Sequence, residues 1–146
     1  MLIRRAVFLD AYNIVDIINK ADITRKLTYR AFISTFGKGL RLVSIENNNI
    51  SSYIELTECK EPYLLKISAA DKTFEISEFV VQERYALDYS NTSSKLLEEL
   101  LKQPFTGVNI VYVDKGRCTL PLAFWENHLF TLIESKENRK IYLFSK

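Results

Sequence analysis

Residues 72–104 read KTFEISEFVVQERYALDYSNTSSKLLEELLKQP, and this stretch decides the fold. Its first part has the aromatic and β-branched residues of a mostly buried strand: Phe74, Ile76, Phe79, Val80 and Val81. A polar cluster at 88–94 follows, and side chains of this kind cap the free N–H groups at a helix start. Leucines at helical spacing then predict an amphipathic helix that ends before Pro104: Leu96, Leu97, Leu100 and Leu101. The stretch therefore predicts a strand, a polar loop and a helix.

A second apolar run, VNIVYV at 108–113, follows this helix. A strand, a helix and another strand within about forty residues are typical of a βαβ unit, whose two strands are parallel. Ligands of such sheets bind where the carboxyl ends of the strands meet a helix N-terminus, because unpaired N–H groups and the helix dipole attract anions there. We therefore expect any ligand site to lie near residues 80–95.

Chain length, net charge and cysteine content restrict the class of protein. A chain of 146 residues predicts one domain spanning 1–146, since a chain of this size buries about 70% of its unfolded surface without disulfides or metals. A net charge of +2 with dispersed basic residues predicts no nucleic-acid partner. Cys59 and Cys118 lack the spacing of a metal site or a disulfide framework, so we expect reduced thiols and no metal. The apolar stretch at the start is too short for a signal peptide or a membrane segment. We therefore expect a cytoplasmic protein.

The remaining sequence predicts further elements around this unit. We expect helices at 11–21, capped by Asp10, at 24–36, ended by Gly37, and at 119–128. We expect strands at 3–9, 40–45, 50–58, 130–134 and 140–144, an asparagine turn at 46–49, and an extended segment at 63–67. The sum is a mixed α+β or α/β fold, with a central mixed sheet of six to seven strands flanked by about four helices.

In this order the elements resemble the GNAT superfamily of N-acetyltransferases over nearly the whole chain. The segment FEISEFVVQERY at 74–85 is similar to the family's central strand, and SSKLLEELLKQ at 93–103 to the helix after its pyrophosphate loop. The segment LAFWENHLFTLIESKENRKIYLF at 122–144 is similar to its late helix and terminal strands. The resemblance implies acetyl transfer from acetyl-CoA to a primary amine of a small molecule or a protein. We expect a monomer or homodimer with no membrane partner.

The resemblance also implies where acetyl-CoA binds. The pantetheine arm would add to the edge of the central strand, in a gap between it and the next parallel strand, at Phe79, Val80 and Val81. The pyrophosphate would bind the polar segment at the start of the helix, which matches Ser90, Asn91, Thr92, Ser93, Ser94 and Lys95.

Two carboxylates are the candidates for the general base that the resemblance implies. Glu75 matches the carboxylate that some members place at the start of the central strand, and Glu78 is its rival, on the opposite face by strand alternation. The family's acidic tyrosine is replaced by Trp125, which we expect to fill the core. Tyr112, Tyr85 or water is then the alternative acid. His128 is expected to be a surface residue.

Two functions remain open at this stage. The first is an acetyl-CoA-dependent N-acetyltransferase that works by direct transfer with a carboxylate base. The second is a non-catalytic binding or regulatory module that has lost the standard CoA site. The loop favours the second, because Asp88 stands where the family pattern Q/R-x-x-G-x-G/A has a basic residue and the glycines are absent. The βαβ unit with its predicted gap favours the first.

Overall fold

A seven-stranded mixed sheet forms the centre of the computed structural model, which describes residues 1–68, 72–82, 89–103, 109–115 and 120–145. In chain order the strands are β1 (Leu2–Arg5), β2 (Leu40–Glu46), β3 (Asn49–Glu58), β4 (Thr73–Val81), β5 (Asn109–Asp114), β6 (Thr131–Lys136) and β7 (Arg139–Ser145). Their order across the sheet is β1-β2-β3-β4-β5-β7-β6. Every neighbouring pair is antiparallel except β4 and β5, whose parallel pairing confirms the predicted βαβ arrangement.

Five α-helices lie within the described residues: α1 (Ala11–Ala21), α2 (Tyr29–Ser34), α3 (Pro62–Ser68), α4 (Tyr89–Leu101) and α5 (Leu122–Asn127). A seven-stranded mixed sheet flanked by helices confirms the predicted fold class. No described helix has both the length and the apolar character that a membrane crossing requires.

Helices cover both faces of the sheet, and each face has its own apolar core. On the first face, α1 lays its apolar stripe against the sheet, and Ile14 and Ile18 pack in one cluster with Tyr53 of β3. On the second face, Leu97 of α4 and Trp125 of α5 belong to a larger cluster over the middle of the sheet. The predicted leucine face of α4 is confirmed, since Leu96, Leu97 and Leu100 are all fully buried.

The first strand is shorter than the predicted strand at 3–9. It ends at Arg5, and a single 3₁₀ turn at Phe8–Asp10 precedes α1. The Asp10 carboxylate accepts a hydrogen bond from the Val7 backbone N–H at 2.7 Å and pairs with the Arg4 guanidinium, also at 2.7 Å. The predicted helix cap at Asp10 is therefore wrong, because its side chain bonds to the residues before it and makes no capping hydrogen bond to α1.

The second helix is also shorter than the predicted span of 24–36. It begins after Thr28, whose hydroxyl accepts a hydrogen bond from the Ala31 backbone N–H at 3.1 Å, and it ends at Ser34, before Gly37. The preceding residues form a loop because Asn19 of α1 holds Leu27 by both backbone groups, each at 2.9 Å. This loop matters below because it carries Asp22 and Arg25 to the edge of β4.

The segment at 63–67 is helical, so the predicted extended conformation is wrong. Glu61 caps α3, because its carboxylate accepts the backbone N–H groups of Tyr63 at 3.1 Å and Leu64 at 3.0 Å. Pro62 occupies the first helical position, where its missing N–H costs nothing. Leu64 is then buried against Val111 of β5.

The remaining elements differ from prediction mainly at their ends. The helix α4 begins at Tyr89, so the polar residues at 90–94 form its first two turns rather than a loop before it. The α5 helix covers Leu122–Asn127, within the predicted span of 119–128, and Pro121 precedes it. The asparagine turn is confirmed, with φ of 51° at Asn47 and 63° at Asn48.

Candidate active site

The two parallel strands part from each other halfway along β4. Their ladder runs from the pair Thr73 and Asn109 to the pair Ile76 and Tyr112, yet β4 continues to Val81. On their other sides β4 pairs with β3 as far as Val81, and β5 pairs with β7 along its whole length. A gap therefore opens in the sheet beyond Ile76, which confirms the predicted divergence of these strands.

A β-bulge in β4 lies at the start of this gap. In the ladder with β3, Glu78 faces Glu55 and Ile76 faces Leu56, so Ser77 is the extra residue. The bulge turns Glu78 to the same face as Glu75, and both carboxylates line one cleft. The prediction that they occupy opposite faces is therefore wrong, because simple alternation does not hold across an inserted residue.

The cleft has a volume of about 100 Å³ and lies between the end of α1, the loop after it, β4 and β5. Its ionisable lining consists of Asp22, Arg25, Glu75, Glu78, Tyr112 and Lys115. All three predicted catalytic residues, Glu75, Glu78 and Tyr112, are thus brought together. The described residues hold no cluster of side chains suited to a metal ion.

The two glutamates have different electrostatic surroundings. Glu78 forms an ion pair with the guanidinium of Arg25, and both side chains are mostly buried. The hydrogen bond with Glu78 raises the pKa of Arg25, against the opposing effect of burial. Burial raises the pKa of Glu75 above its usual value, although the charge of Lys115 acts in the opposite direction. Glu75 is therefore the carboxyl whose pKa is moved towards neutral pH.

The predicted cofactor-binding residues fall into three groups. Phe79, Val80 and Val81 are buried in β4 beyond the point where it leaves β5. Thr92 and Ser93 lie in the first turns of α4, fully buried, and their hydroxyl groups have no hydrogen-bond partner among the residues that the structure describes. Asn91, Ser94 and Lys95 are more exposed, and Ser90 lies in the same helix turn. The loop at 83–88, with Tyr85 and Asp88, lies outside the described residues.

The aromatic at the acid position is a core residue, as predicted. Trp125 has no solvent exposure and stacks between Tyr112, with ring centroids 4.5 Å apart, and Tyr142, at 5.1 Å. Its indole N–H has no hydrogen-bond partner. Of the two tyrosines named as alternative acids, Tyr112 lines the cleft, and Tyr85 lies outside the described residues.

His128 joins the two helices on the second face of the sheet, so the prediction of a surface residue is wrong. Its side chain is 9% exposed, and Nδ1 lies 2.7 Å from the carbonyl oxygen of Phe124. Because a carbonyl only accepts, Nδ1 carries the proton in the neutral ring, and Nε2 accepts the hydroxyl of Ser94 at 2.9 Å. This bond ties α4 to α5 beside the gap.

Sequence reasoning missed two of the residues that line the cleft. Arg25 lies in a loop, although a helix was predicted there, and no sequence motif identifies Arg25 as a site residue. Lys115 directly follows β5. The rule that ligands bind at the carboxyl ends of parallel strands would have identified Lys115 as a candidate.

A mixed sheet whose parallel central strands part over a polar cleft defines a class of ligand-binding α+β proteins, and solved structures identify the fold. The ribosomal-protein-alanine N-acetyltransferase of Brucella melitensis superposes with a TM-score of 0.77 over 100% of both chains at 12% identity. A GNAT-family acetyltransferase of Streptococcus pneumoniae gives a TM-score of 0.73 over 99% of this chain and 97% of that one, at 17% identity. The PaiA N-acetyltransferase of Thermoplasma acidophilum, in complex with coenzyme A, gives 0.72 over 99% and 98%, at 10% identity.

The chain therefore has the GNAT fold, which confirms the resemblance drawn from the sequence. No protein-family model and no curated protein sequence matches the chain, so this likeness is one of structure.

Proposed function

We propose that the protein is an N-acetyltransferase that moves an acetyl group from acetyl-CoA to a primary amine. The observation that carries this proposal is the gap between β4 and β5, which opens beside Glu75 and Glu78. Its lining includes Tyr112 and Val113, neighbours in β5 whose side chains alternate between the two faces of the sheet, so we infer access from both faces. A thioester entering from one face would then meet an amine entering from the other.

The residues present fit a coenzyme A thioester. The backbone of Phe79, Val80 and Val81 has no strand partner on the β5 side, so its free amide groups on that side suit the amides of a pantetheine arm. The unpartnered hydroxyl groups of Thr92 and Ser93 lie in the first turns of a 13-residue helix, whose N-terminus attracts phosphate. The acyl thioester supplies the activated acetyl group, and the chain supplies orientation and proton transfer.

Glu75 is the general base of the proposed mechanism. A carboxyl whose pKa is raised takes a proton from an ammonium group more readily than an ordinary one does. The freed amine nitrogen then bonds to the thioester carbonyl carbon and gives up its second proton, the carbon–sulfur bond breaks, and the sulfur leaves with the electron pair. The backbone N–H of Val80 or Val81 would polarise the carbonyl oxygen, and Tyr112 would donate a proton to the sulfur.

Glu78 has a different role from Glu75, because its carboxylate is already paired with Arg25. We assign it to holding the loop after α1 against β4, which shapes the acceptor side of the cleft. The acceptor is a primary amine of a small molecule or a protein, and the cleft favours a cationic group, since it presents three carboxylates, Asp22, Glu75 and Glu78, against two cations. The described residues of β6 and β7 do not line it.

The test combines binding and turnover. Acetyl-CoA at a hundred times its dissociation constant raises the free energy of unfolding by about 2.7 kcal/mol, which a thermal shift measures. Turnover is followed as free thiol released in the presence of a panel of primary amines. Glu75→Gln is expected to keep the thermal shift and to lose on the order of 10²–10⁴ in turnover. No shift at millimolar acetyl-CoA would refute the proposal.

The second candidate, a non-catalytic module of the same fold, predicts a different result. It is favoured by Trp125, which is buried in the core where the resemblance implies an acidic tyrosine. That function predicts a thermal shift with some ligand but no thiol release with any amine. Equal thiol release by the wild type and Glu75→Gln would instead overturn the assignment of Glu75 as the base.

A further inference from the structure

Lys115 stands across the gap from the reactive part of β4. Tyr112 of β5 and Ile76 of β4 are the last paired residues of the two parallel strands. Lys115 lies three residues beyond Tyr112, directly after β5, and Phe79 lies three residues beyond Ile76. The Lys115 side chain is exposed and lines the same cleft as Glu75. The chain therefore places one of its own primary amines at the mouth of the proposed acceptor site.

This amine is close to the proposed base and is not held by another carboxylate. The charge of Lys115 acts directly on Glu75, whereas Arg25, the other cation of the cleft, is paired with Glu78. Within the described part of the chain, no carboxylate forms an ion pair with Lys115. An exposed, unpaired lysine beside a general base has the chemistry of an acceptor.

We propose that Lys115 is an internal acetyl acceptor, so that the protein acetylates its own Lys115 from acetyl-CoA. The inference rests on the proposed function, because it uses the same thioester and the same base. Glu75 takes a proton from the Lys115 ammonium, and Nζ bonds to the thioester carbonyl carbon. Nζ gives up a second proton as the amide forms, the carbon–sulfur bond breaks, and the coenzyme A sulfur leaves with the electron pair and takes up that second proton. No further reactant is needed, and the local concentration of a tethered amine favours the step.

Acetylation of Lys115 would change the site that produced it. It removes the cation that lowers the pKa of Glu75, while burial and the nearby charge of Glu61 continue to raise that pKa. Glu75 would then accept a proton at higher pH than in the unmodified protein. The pH profile of acetyl transfer to other amines is therefore expected to move to higher pH after Lys115 is acetylated.

The test is a time course of the full chain with ¹³C-acetyl-CoA, with each modified lysine identified by peptide mass spectrometry. Lys115 is expected to be acetylated at least about tenfold faster than Lys102, because intramolecular placement raises the rate. Lys102 is a suitable control, since its side chain is 70% exposed and is not part of the described lining of the cleft. The rate at Lys115 should not depend on protein concentration and should fall in Glu75→Gln, whereas the rate at Lys102 should not change.

The outcomes separate this inference from the proposed function. Thiol release with added amines, together with acetylation of Lys115 no faster than Lys102, overturns the internal acceptor and leaves the acetyltransferase. Absence of both overturns both. A concentration-dependent rate at Lys115 also overturns the intramolecular step. A second readout needs no acetyl-CoA: carboxyl NMR should show a higher pKa for Glu75 in Lys115→Gln, an acetyl-lysine mimic, than in Lys102→Gln.

Discussion

Two glutamates three residues apart have opposite surroundings in this protein. Glu78 gains a guanidinium partner from the loop after α1, whereas Glu75 is half-buried and, within the described part of the chain, the charge of Lys115 opposes the effect of that burial. A paired carboxylate is a poor proton acceptor, and a buried unpaired one is a good one. The two glutamates therefore differ in their proposed roles because of their surroundings, with Glu75 as the base and Glu78 as the partner of Arg25.

Glu75→Gln tests the electrostatic cost of this base. Because the folded protein raises the pKa of Glu75, the unfolded chain ionises it at lower pH, so its ionisation lowers stability as pH rises through that window. The variant is expected to be more stable than the wild type at pH 7, with the difference disappearing below the pKa of an ordinary glutamate. Urea unfolding at pH 4 and pH 7 measures it. If Glu75→Gln were less stable than the wild type at pH 7 but not at pH 4, the ionised Glu75 would be stabilising. That result would contradict the expected cost of burying its charge.

The Arg25–Glu78 pair is expected to stabilise the loop after α1. Arg25→Ala removes the guanidinium that pairs with the mostly buried Glu78 carboxylate and should lower the free energy of unfolding by about 1–3 kcal/mol. A double-mutant cycle with Glu78→Gln should show coupling of similar sign. The control is Lys20→Ala, because Lys20 pairs with Asp16 at 3.0 Å on an exposed helix surface and should cost under about 0.5 kcal/mol. Equal losses at Arg25 and Lys20 would count against the role of the buried pair.

At this scale the sequence and the resemblance predicted candidate residues but not their surroundings. Glu75 was named because it matches a carboxylate of the family, Glu78 as its rival and Tyr112 as a substitute acid, and all three line the cleft. Their surroundings could not be predicted, because the Ser77 bulge and the position of Arg25 arise from packing between segments that are distant in sequence. No local pattern marks either feature.

At the scale of elements, α4 and α5 are tied together by one histidine. His128→Ala removes the hydrogen bonds to Ser94 and to the Phe124 carbonyl and should lower the free energy of unfolding by about 1–2 kcal/mol. Ser94→Ala removes the first of these bonds together with the exposed Ser94–Glu98 bond at 3.2 Å, keeps the bond to the Phe124 carbonyl, and should cost less. The control is Ser34→Ala, since Ser34 is exposed and bonds only within its own helix. Chemical denaturation gives all three values, and a loss at Ser94 no larger than at Ser34 would show that the tether does not stabilise the pair.

The start of β2 gives a second prediction at this scale. Gly39 has φ of 75°, and a Cβ there would lie 2.4 Å from the Leu56 carbonyl oxygen, so Gly39→Ala should cost more than about 1 kcal/mol of stability. Gly37→Ala is the matched control, because nothing lies within 4 Å of a Cβ at that position. Thermal unfolding of the two variants measures the contrast. Similar melting temperatures would mean that the backbone of β3 moves aside.

Helices and strands were predicted correctly where the apolar periodicity is strong. The predictions were wrong where hydrogen bonds from side chains to the backbone end an element early. The strand at β4 and the leucine face of α4 follow directly from their apolar patterns. The strand at 3–9 and the helix at 24–36 were too long, because Asp10 and Asn19 bond backbone groups that those elements would need. The helix at Pro62–Ser68 was missed although Glu61 and Pro62 are a recognisable helix start.

At the scale of the whole molecule, the gap between β4 and β5 divides the protein into two sides. Helices α1 and α2 pack on the face that carries the carboxylates, and α4 and α5 pack on the other. A reaction between two substrates is served by such an arrangement, because each can reach the centre without displacing the other. The gap was predicted from the βαβ pattern and the resemblance together, and the ladder between β4 and β5, which ends at Ile76 and Tyr112, agrees with it.

Hydrogen exchange tests whether the gap itself takes up acetyl-CoA. Backbone groups of β4 that have no partner in β5 should exchange with solvent, and a bound pantetheine arm would pair with them. Peptides that contain Phe79, Val80 and Val81 are therefore expected to exchange more slowly with acetyl-CoA, by more than any change in global stability explains. The internal control is β2, whose residues are paired on both sides and should change only with global stability. Protection confined to α4, with β4 unchanged, would mean that the ligand binds the helix and does not enter the sheet.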